Sequence, residues 1–575
     1  MAALDTVGIT ELLGLDDFSH VDLDAVYSVI EEFGKLAEGE IAQGDRVGDV
    51  IGATLHSESN SVTTPQEFHR AYELFVAGGW AALGLPLEHG GGGFPTVIST
   101  VLQELFASAN LALSLNPVLT QGSIEALLQW GSEEQQALFL PKLSTGEWSG
   151  TMNLTEPQAG SDLGEIRTIA TPNSDGTWSV SGTKIFITWG EHDLVENIVH
   201  LVLARTPDAP SGTKGLSLFI VPKFNVNANG TLAERNSLRV QSLEHKLGIH
   251  GSPTCVMEFD GATGILVGPL HGGMKAMFTM MNNARLAIGV QGPAVAERAY
   301  QHALDYANNR EQGRAAGTTP PASSPIIQHP DVQRMLLLMN TTTQAARMLI
   351  FLATTEKDFA HHAATSEERD KAQEMVDLLT PIAKAWGTDR GVLATSLGVQ
   401  IFGGMGYIEE SGIAQRLRDV RIAPIYEGTN GIQSLDLVFR KLPRNSGQWA
   451  TSLLADVRSS LEEIAATAPQ LAASSERVLD ALVALEQATV WMINEVASSP
   501  TDAQAGATAY LEIFGNVLGG WLMVKRAARS IAKGATEANR YTNEANFFTI
   551  EIVTTGIGLA SVVTAGADRL RSLVN

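Results

Sequence analysis

TWSVSGTKIFITWG, Thr177 to Gly190, decides how this chain is read: β-branched and aromatic residues interleaved with polar ones, opened by the turn cluster Asn173–Gly176. Such a run reads as a strand, because successive side chains of an extended chain fall on opposite faces. The pattern recurs in NIVHLVLAR (Asn197–Arg205), GLSLFIVPKF (Gly215–Phe224) and TCVMEFDG (Thr254–Gly261), with another turn cluster at Pro207–Gly212. A compact β domain of several short strands is therefore predicted over residues 148–268.

On both sides the period lengthens to that of a helix. Upstream, Pro65 precedes QEFHRAYELFVAGGWAAL, which puts Phe68, Tyr72 and Phe75 on one helical face. PLEHGGGGFP (Pro86–Pro95) breaks that regime with four consecutive glycines and is predicted to be a loop in which backbone closely approaches a neighbour. Downstream, helices are predicted over His271–Asn309, Val332–Asp358 and Lys371–Gln400, the first two separated by the Pro/Ser/Gly/Thr-rich loop Gly317–Pro325. From about Gly447 the chain is Ala/Leu-rich and again helical. The fold class is mainly α with a central β domain: an N-terminal helical domain (1–147), the β domain (148–268), a helical bundle (269–445) and an additional C-terminal helical domain (446–575). No repeat of solenoid period occurs.

Bulk composition removes several classes of function. With 575 residues, 44% hydrophobic and 18% charged, the chain is long enough for roughly three or four domains or subdomains and is not disordered. Asp and Glu (63) outnumber Lys and Arg (39), for a formal charge of −24, which disfavours a nucleic-acid role without excluding a small anionic ligand. The single cysteine, Cys255, permits no intramolecular disulfide and no thiolate metal cluster, and reads as a small core residue. No metal site is expected. The N-terminus carries acids and no early Lys or Arg, unlike a secretory signal. The best membrane-span candidate, Ile552–Ala565, is short and interrupted by Thr554, Thr555, Gly556 and Gly558. A cytoplasmic protein with no membrane role is expected.

Chemistry is concentrated in a few segments. MNLTEPQAGSDLG (Met152–Gly164) joins the helical region to the β domain; Thr155, Gly160 and Ser161 leave backbone N–H groups able to meet a heteroaromatic edge or a phosphate. KIFITWG (Lys184–Gly190) is a strand ending in an aromatic. In YANNREQGR (Tyr306–Arg314), Arg310 and Arg314 either complement a helix C-terminus or grip an anion. VQIFGGMGY (Val399–Tyr407) is a helix ending in Gly403-Gly404, a cap that also admits phosphates close to backbone. In RDVRIAPIYEGTNGIQ (Arg418–Gln433), Glu427 sits between Ile425-Tyr426 and a tight turn; a carboxylate backed by apolar side chains is a suitable proton acceptor near neutrality. Taken singly, each has an ordinary structural reading: surface loop, core strand, capped helix or solvated turn.

In this order around a β insertion they resemble the acyl-CoA dehydrogenase family, from about Ala71 to Leu442. The resemblance implies FAD as cofactor, contacted by Met152, Leu154, Thr155 and Ser161, by Phe186, Ile187 and Thr188, and by Gln400, Gly403, Gly404, Thr429 and Gly431. It implies that Arg310 and Gln312 reach the FAD of a partner subunit. Ser161, Arg285 and Gly428 correspond to substrate-side positions. Glu427 corresponds to the base that takes the α-proton of an acyl-CoA thioester as the β-hydrogen leaves as hydride to flavin, giving a trans-2-enoyl-CoA. An electron-transfer flavoprotein is the implied acceptor.

Trp189 stands where the family has Asn, the arginine segment is one residue shorter, and the chain continues well past the common core. These traits resemble the longer branch that includes 3-methylmercaptopropionyl-CoA and broad-range fatty acyl-CoA dehydrogenases. That branch implies a homodimer and a short- to medium-chain or 3-methylthiopropanoyl-CoA substrate. An acyl-CoA oxidase is the alternative within the fold, whereas Glu427 argues against nitroalkane oxidases, which use Asp. An alternative of another class is a flavin-containing, DNA-binding alkylation-response relative, for which Lys525, Arg526, Arg529, Lys533 and Arg540 are the candidate contacts. Retention of Glu427 gives no support to a non-catalytic assembly factor.

Overall fold

A computed structural model describes residues 1–317 and 323–574. Part of the predicted loop Gly317–Pro325, residues 318–322, lies outside the described residues. Contacts divide the chain into two compact units: Tyr27–Phe94 with Leu105–Ala287, and Met1–Val26 with Pro95–Glu104 and Ile288–Asn575.

The first unit is built on a seven-stranded sheet: β1 (Trp148–Asn153), β2 (Ile169–Pro172), β3 (Trp178–Thr188), β4 (Asn197–Arg205), β5 (Leu216–Pro222), β6 (Leu238–Leu243) and β7 (Thr254–Val267). The pairing β3–β2–β4–β5–β7 returns to β3, so the sheet curls into a barrel, with β6 added beside β7 and β1 parallel to β4. β4 is buried almost throughout, because its alternate residues serve two cores. Val199, Leu201 and Leu203 pack with Leu127, Phe139, Leu140 and Leu143 of the flanking helices. Val202 and Ala204 join Val180, Phe219, Cys255, Met257 and Phe259 on the other side of the sheet. Cys255 is the buried core residue expected, and burial pushes its thiol up to about 12.

The helix Gln66–Ala77 buries Phe68, Ala71, Tyr72 and Phe75, the face read from the sequence. Between it and the preceding helix lies a short hairpin, Thr54–His56 with Ser61–Thr63, which the helical reading of this region did not anticipate. The glycine loop makes the expected close approach: a Cβ on Gly91 would lie 1.9 Å from the Leu85 carbonyl oxygen. Strand β1 lies equally tightly on helix α1 (Leu111–Trp130), where a Cβ on Gly150 would fall 2.3 Å from the Ser123 hydroxyl.

The second unit is helical. Its bundle consists of α2 (Gly273–Asn309, from Ile288 onward), α3 (Pro330–His362) and α4 (Ser366–Phe402). Helix α4 begins with a capping box in which Thr365 and Glu368 satisfy each other's backbone N–H groups. Helices α2 and α4 touch backbone to backbone: a Cβ on Gly391 would lie 2.6 Å from the Gly292 Cα. The short helix α5 (Asn430–Asp436) follows the loop that carries Glu427.

The C-terminal helices are part of this same unit. Trp386 of α4, fully buried, donates its indole N–H to Asn516 at 3.0 Å on α6 (Pro500–Ala532), beside Gly515, where a Cβ would strike the ring. The residues considered for duplex binding are each engaged internally. Arg526 pairs with Glu544 at 2.5 Å, and Arg540 reaches the same carboxylate. Arg529 pairs with Asp5 and Glu11, Lys533 with Asp5, and Lys525 lies over the Trp521 ring. These pairs tie the first residues of the chain to its last helices.

The apolar stretch read as Ile552–Ala565 differs from expectation. It ends a helix running from Ala538 to Val563, which, like Pro330–His362, is long and apolar enough to cross a membrane by length and composition. The Pro330–His362 helix is mostly buried in the protein.

Candidate active site

In the barrel unit, strand β3 fastens the loop that leaves β1. Glu156 and Ala159 exchange backbone hydrogen bonds at 3.1 and 3.0 Å, and Ile185 N–H donates to the Thr155 carbonyl at 2.9 Å. Beneath the loop, the fully buried Lys184 donates to the Leu154 carbonyl (2.9 Å) and to the Glu156 carboxylate (2.8 Å). Glu156 also accepts from the N–H groups of Arg167 (2.7 Å) and Thr168 (3.0 Å) and from the Thr168 hydroxyl (2.6 Å). Burial opposes its ionisation, yet Lys184 and these donors hold the carboxyl down at about 2. The loop Met152–Ser161 and the strand that carries Phe186–Thr188 are thus joined by an ion pair and a backbone hydrogen bond.

Their exposed parts are what a ligand can meet. Gly160 and Ser161 are exposed, and Met152, Thr155 and Thr188 are half-buried. Leu154 and Ile187 point into the core, so only their backbone groups can contribute. At the register shift opposite Cys255 and Met257, Phe186 takes φ 60°, and the residue is 57% exposed. A bulge of this kind re-aims a side chain, and a non-glycine residue in the left-handed region marks a constrained position. Trp189 is a core residue whose indole donates to the Ala112 carbonyl at 3.2 Å. Its side chain thus serves the core, and its backbone stands in the left-handed region at φ 54°. Arg285, the predicted substrate-side residue, is buried on α2.

In the helical unit, two more predicted segments come together. Tyr306, near the end of α2, stacks on Phe402, the last residue of α4, with centroids 4.1 Å apart. The stack joins the helix ends that lead into these segments, and Arg310, Gln312, Gln400, Gly403 and Gly404 are all exposed. Gly403 ends α4 at φ 62°, and a Cβ on either glycine would meet nothing within 4 Å.

The Glu427 loop is held from three sides. Asn430 N–H donates back to the Pro424 carbonyl at 2.9 Å, closing the turn. Glu427 (φ 54°) and Gly428 (φ 84°) are consecutive left-handed residues, and Glu427 is half-buried. Gln433 donates to the carbonyls of Glu427 (3.2 Å) and Gly428 (3.3 Å), and Lys384 of α4 to the Gly428 carbonyl (2.9 Å). The Tyr426 hydroxyl donates to Gln291 on α2. Burial, and then the charge of Glu427, raise the pKa of that hydroxyl, so it stays protonated. Thr429 accepts from Ile432 N–H (3.2 Å) and caps α5, while Gly431 is exposed.

Domain families match along nearly the whole chain: acyl-CoA dehydrogenase N-terminal domain at residues 50–147, middle domain at 151–262, C-terminal domain at 271–442, and acetyl-CoA dehydrogenase C-terminal like at 454–573. A 3-methylmercaptopropionyl-CoA dehydrogenase of Ruegeria pomeroyi is 46% identical over 526 residues, 90% of this chain and 88% of that protein.

The chain belongs to the acyl-CoA dehydrogenase family.

A broad-specificity linear acyl-CoA dehydrogenase of Mycobacterium tuberculosis is 32% identical, covering 95% of this chain and 91% of that one. The fold is shared with an acyl-CoA dehydrogenase complexed with FAD from Bacillus anthracis (TM-score 0.77, 23% identity, 96% of this chain and 91% of that one). It is shared also with Caenorhabditis elegans ACDH-11 in complex with C11-CoA (TM-score 0.74, 21% identity, 96% and 88%). The protein is an FAD-dependent acyl-CoA dehydrogenase, and the named relatives favour this over the oxidase alternative. Residues of the barrel unit fit that cofactor: an exposed aromatic, Phe186, stands on a bulge beside a braced polar loop with exposed Gly160 and Ser161.

Sequence reading missed the two fully buried lysines, Lys184 and Lys384. A lone charge in an otherwise apolar strand (KIFIT) or helix run (PIAKAWG) was the available signal.

Proposed function

We propose that Glu427 is the base that removes the substrate's α-proton. The observation that carries this is its backbone: a half-buried glutamate held at φ 54°, with the residues on both sides of it anchored. Left-handed non-glycine residues cost energy and persist where surrounding structure over-determines them, which is how a reactive carboxylate is aimed. FAD, when bound, supplies the acceptor for the β-hydride. Glu427 receives the α-proton as the Cα–Cβ double bond forms, so the two hydrogens leave to two different acceptors and the product is a trans-2-enoyl-CoA.

Met152–Ser161, Phe186–Thr188, Gln400–Gly404, Thr429 and Gly431 hold FAD in this reading, and Ser161, Arg285 and Gly428 lie on the substrate side. Arg310 and Gln312 serve the FAD of a partner subunit in a homodimer. Their exposure in the single chain supports this. The substrate is a short- to medium-chain acyl-CoA, 3-methylthiopropanoyl-CoA among them, which the Ruegeria relative supports. The acceptor is an electron-transfer flavoprotein, and the enzyme works in the cytoplasm. Anaerobic bleaching of the flavin by a panel of acyl-CoAs tests the substrate class. Strong preference for branched or aromatic acyl groups, or rapid hydrogen peroxide formation in air, contradicts it.

A further inference from the structure

Helix α4 carries a lysine that solvent does not reach. Lys384 is 0% exposed, within a buried run that includes Leu379, Ile382, Ala383, Ala385 and Trp386. Placing an ammonium there is costly unless its hydrogens are used, and an apolar residue of similar volume would pack at lower cost. Two of its hydrogen bonds reach the Glu427 loop: to the Gly428 carbonyl and to the Asn430 side-chain oxygen, each at 2.9 Å. Asn430 in turn donates to Asp389 (2.8 Å) and to the Ala385 carbonyl (3.1 Å) on the same helix. Lys384 and Asn430 thus form a two-way clasp between α4 and the residues just after Glu427.

We propose that Lys384 is a positioning residue for the proton transfer: by gripping the Gly428 carbonyl it fixes the left-handed Glu427–Gly428 pair and thereby the direction of the Glu427 carboxylate. The inference rests on Glu427 being the base. A glutamate at φ 54° followed by a glycine at φ 84° has no intrinsic preference for that geometry, and Gly428 is the more pliant of the two. The loop's own closure fixes Asn430 to Pro424. Gln433 shares its amide between two carbonyls at 3.2 and 3.3 Å, whereas Lys384 makes the shorter, charge-assisted contact.

The test uses the FAD holoenzyme. In Lys384→Met, acyl-CoA binding should stay within about twofold, while the limiting rate of flavin reduction falls at least about tenfold, since small misplacements of a reacting group are amplified in rate. Amide exchange should accelerate across residues 424–433 and not in β4. Lys384→Arg, which restores a cationic donor, should recover part of the rate. A wild-type limiting rate per bound FAD in Lys384→Met overturns the proposal. If Lys384→Met does not accumulate folded, Asn430→Ala decides: an unchanged rate with unchanged loop exchange overturns it as well. Glu427→Gln measured alongside separates the two readings. A fully active Glu427→Gln removes the base itself, whereas an inactive one beside a fully active Lys384→Met defeats only the role of Lys384.

Discussion

The Lys184 ammonium lies 2.8 Å from the Glu156 carboxylate, and both side chains are closed to solvent, at 0% and 3% exposure. Removing one partner of such a pair leaves a buried charge uncompensated, at a cost of about 3–5 kcal/mol. Glu156→Gln should therefore lower stability by about 3 kcal/mol in urea unfolding and release FAD, because the loop Leu154–Ser161 hangs on this pair. The double variant Glu156→Gln/Lys184→Met should recover part of the loss. A single variant as stable as wild type would show that the pair does not brace the loop.

The same carboxyl sets an acid limit. Its pKa is depressed from 4.5 to about 2, so its contribution is complete above about 4.5 and is lost as pH falls toward 2. Stability of the wild type should decline over that window more steeply than that of Glu156→Gln. Parallel acid profiles for the two proteins would contradict this.

Phe186 separates stability from cofactor binding. Its left-handed backbone costs about 1–2 kcal/mol, which glycine relieves at an entropic cost of about 0.5–1 kcal/mol. With 57% of the residue exposed, little packing is lost. Phe186→Gly should leave the apoprotein's thermal midpoint unchanged or slightly higher while weakening FAD retention. Retention equal to wild type would show that the ring does not face the flavin.

Arg310 and Arg314 are both exposed and only four positions apart, so they form a matched pair. Arg310→Ala should lose FAD on gel filtration far more readily than Arg314→Ala. Light scattering should give a mass near two chains. Equal retention in both variants removes Arg310 from the cofactor site, and a mass near four chains removes the dimer.

Much of this is legible in the sequence. Periodicity placed the Gln66–Ala77 helix and the barrel strands, and the order of short motifs pointed to Glu427. What stayed hidden depends on partners far apart in the chain. Asp5 and Arg529 pair across the whole sequence, and Trp386 finds Asn516; no local pattern encodes such contacts. The hairpin Thr54–His56/Ser61–Thr63 is too short for its alternation to stand out. The left-handed backbone at Phe186, Trp189 and Glu427 contradicts local preference, because tertiary contacts impose it.

Glu427→Gln tests the central claim most directly, because it keeps the size and most of the polarity of the side chain and removes only the proton acceptor. FAD content and acyl-CoA binding should survive, and anaerobic flavin reduction in a stopped-flow instrument should slow by at least about 10²-fold. Glu427→Asp, whose carboxylate is withdrawn by one methylene, should retain partial activity. Glu410, exposed in the nearby turn, provides the control, and Glu410→Gln should reduce its flavin normally. Wild-type flavin reduction in Glu427→Gln with any good substrate would contradict the account.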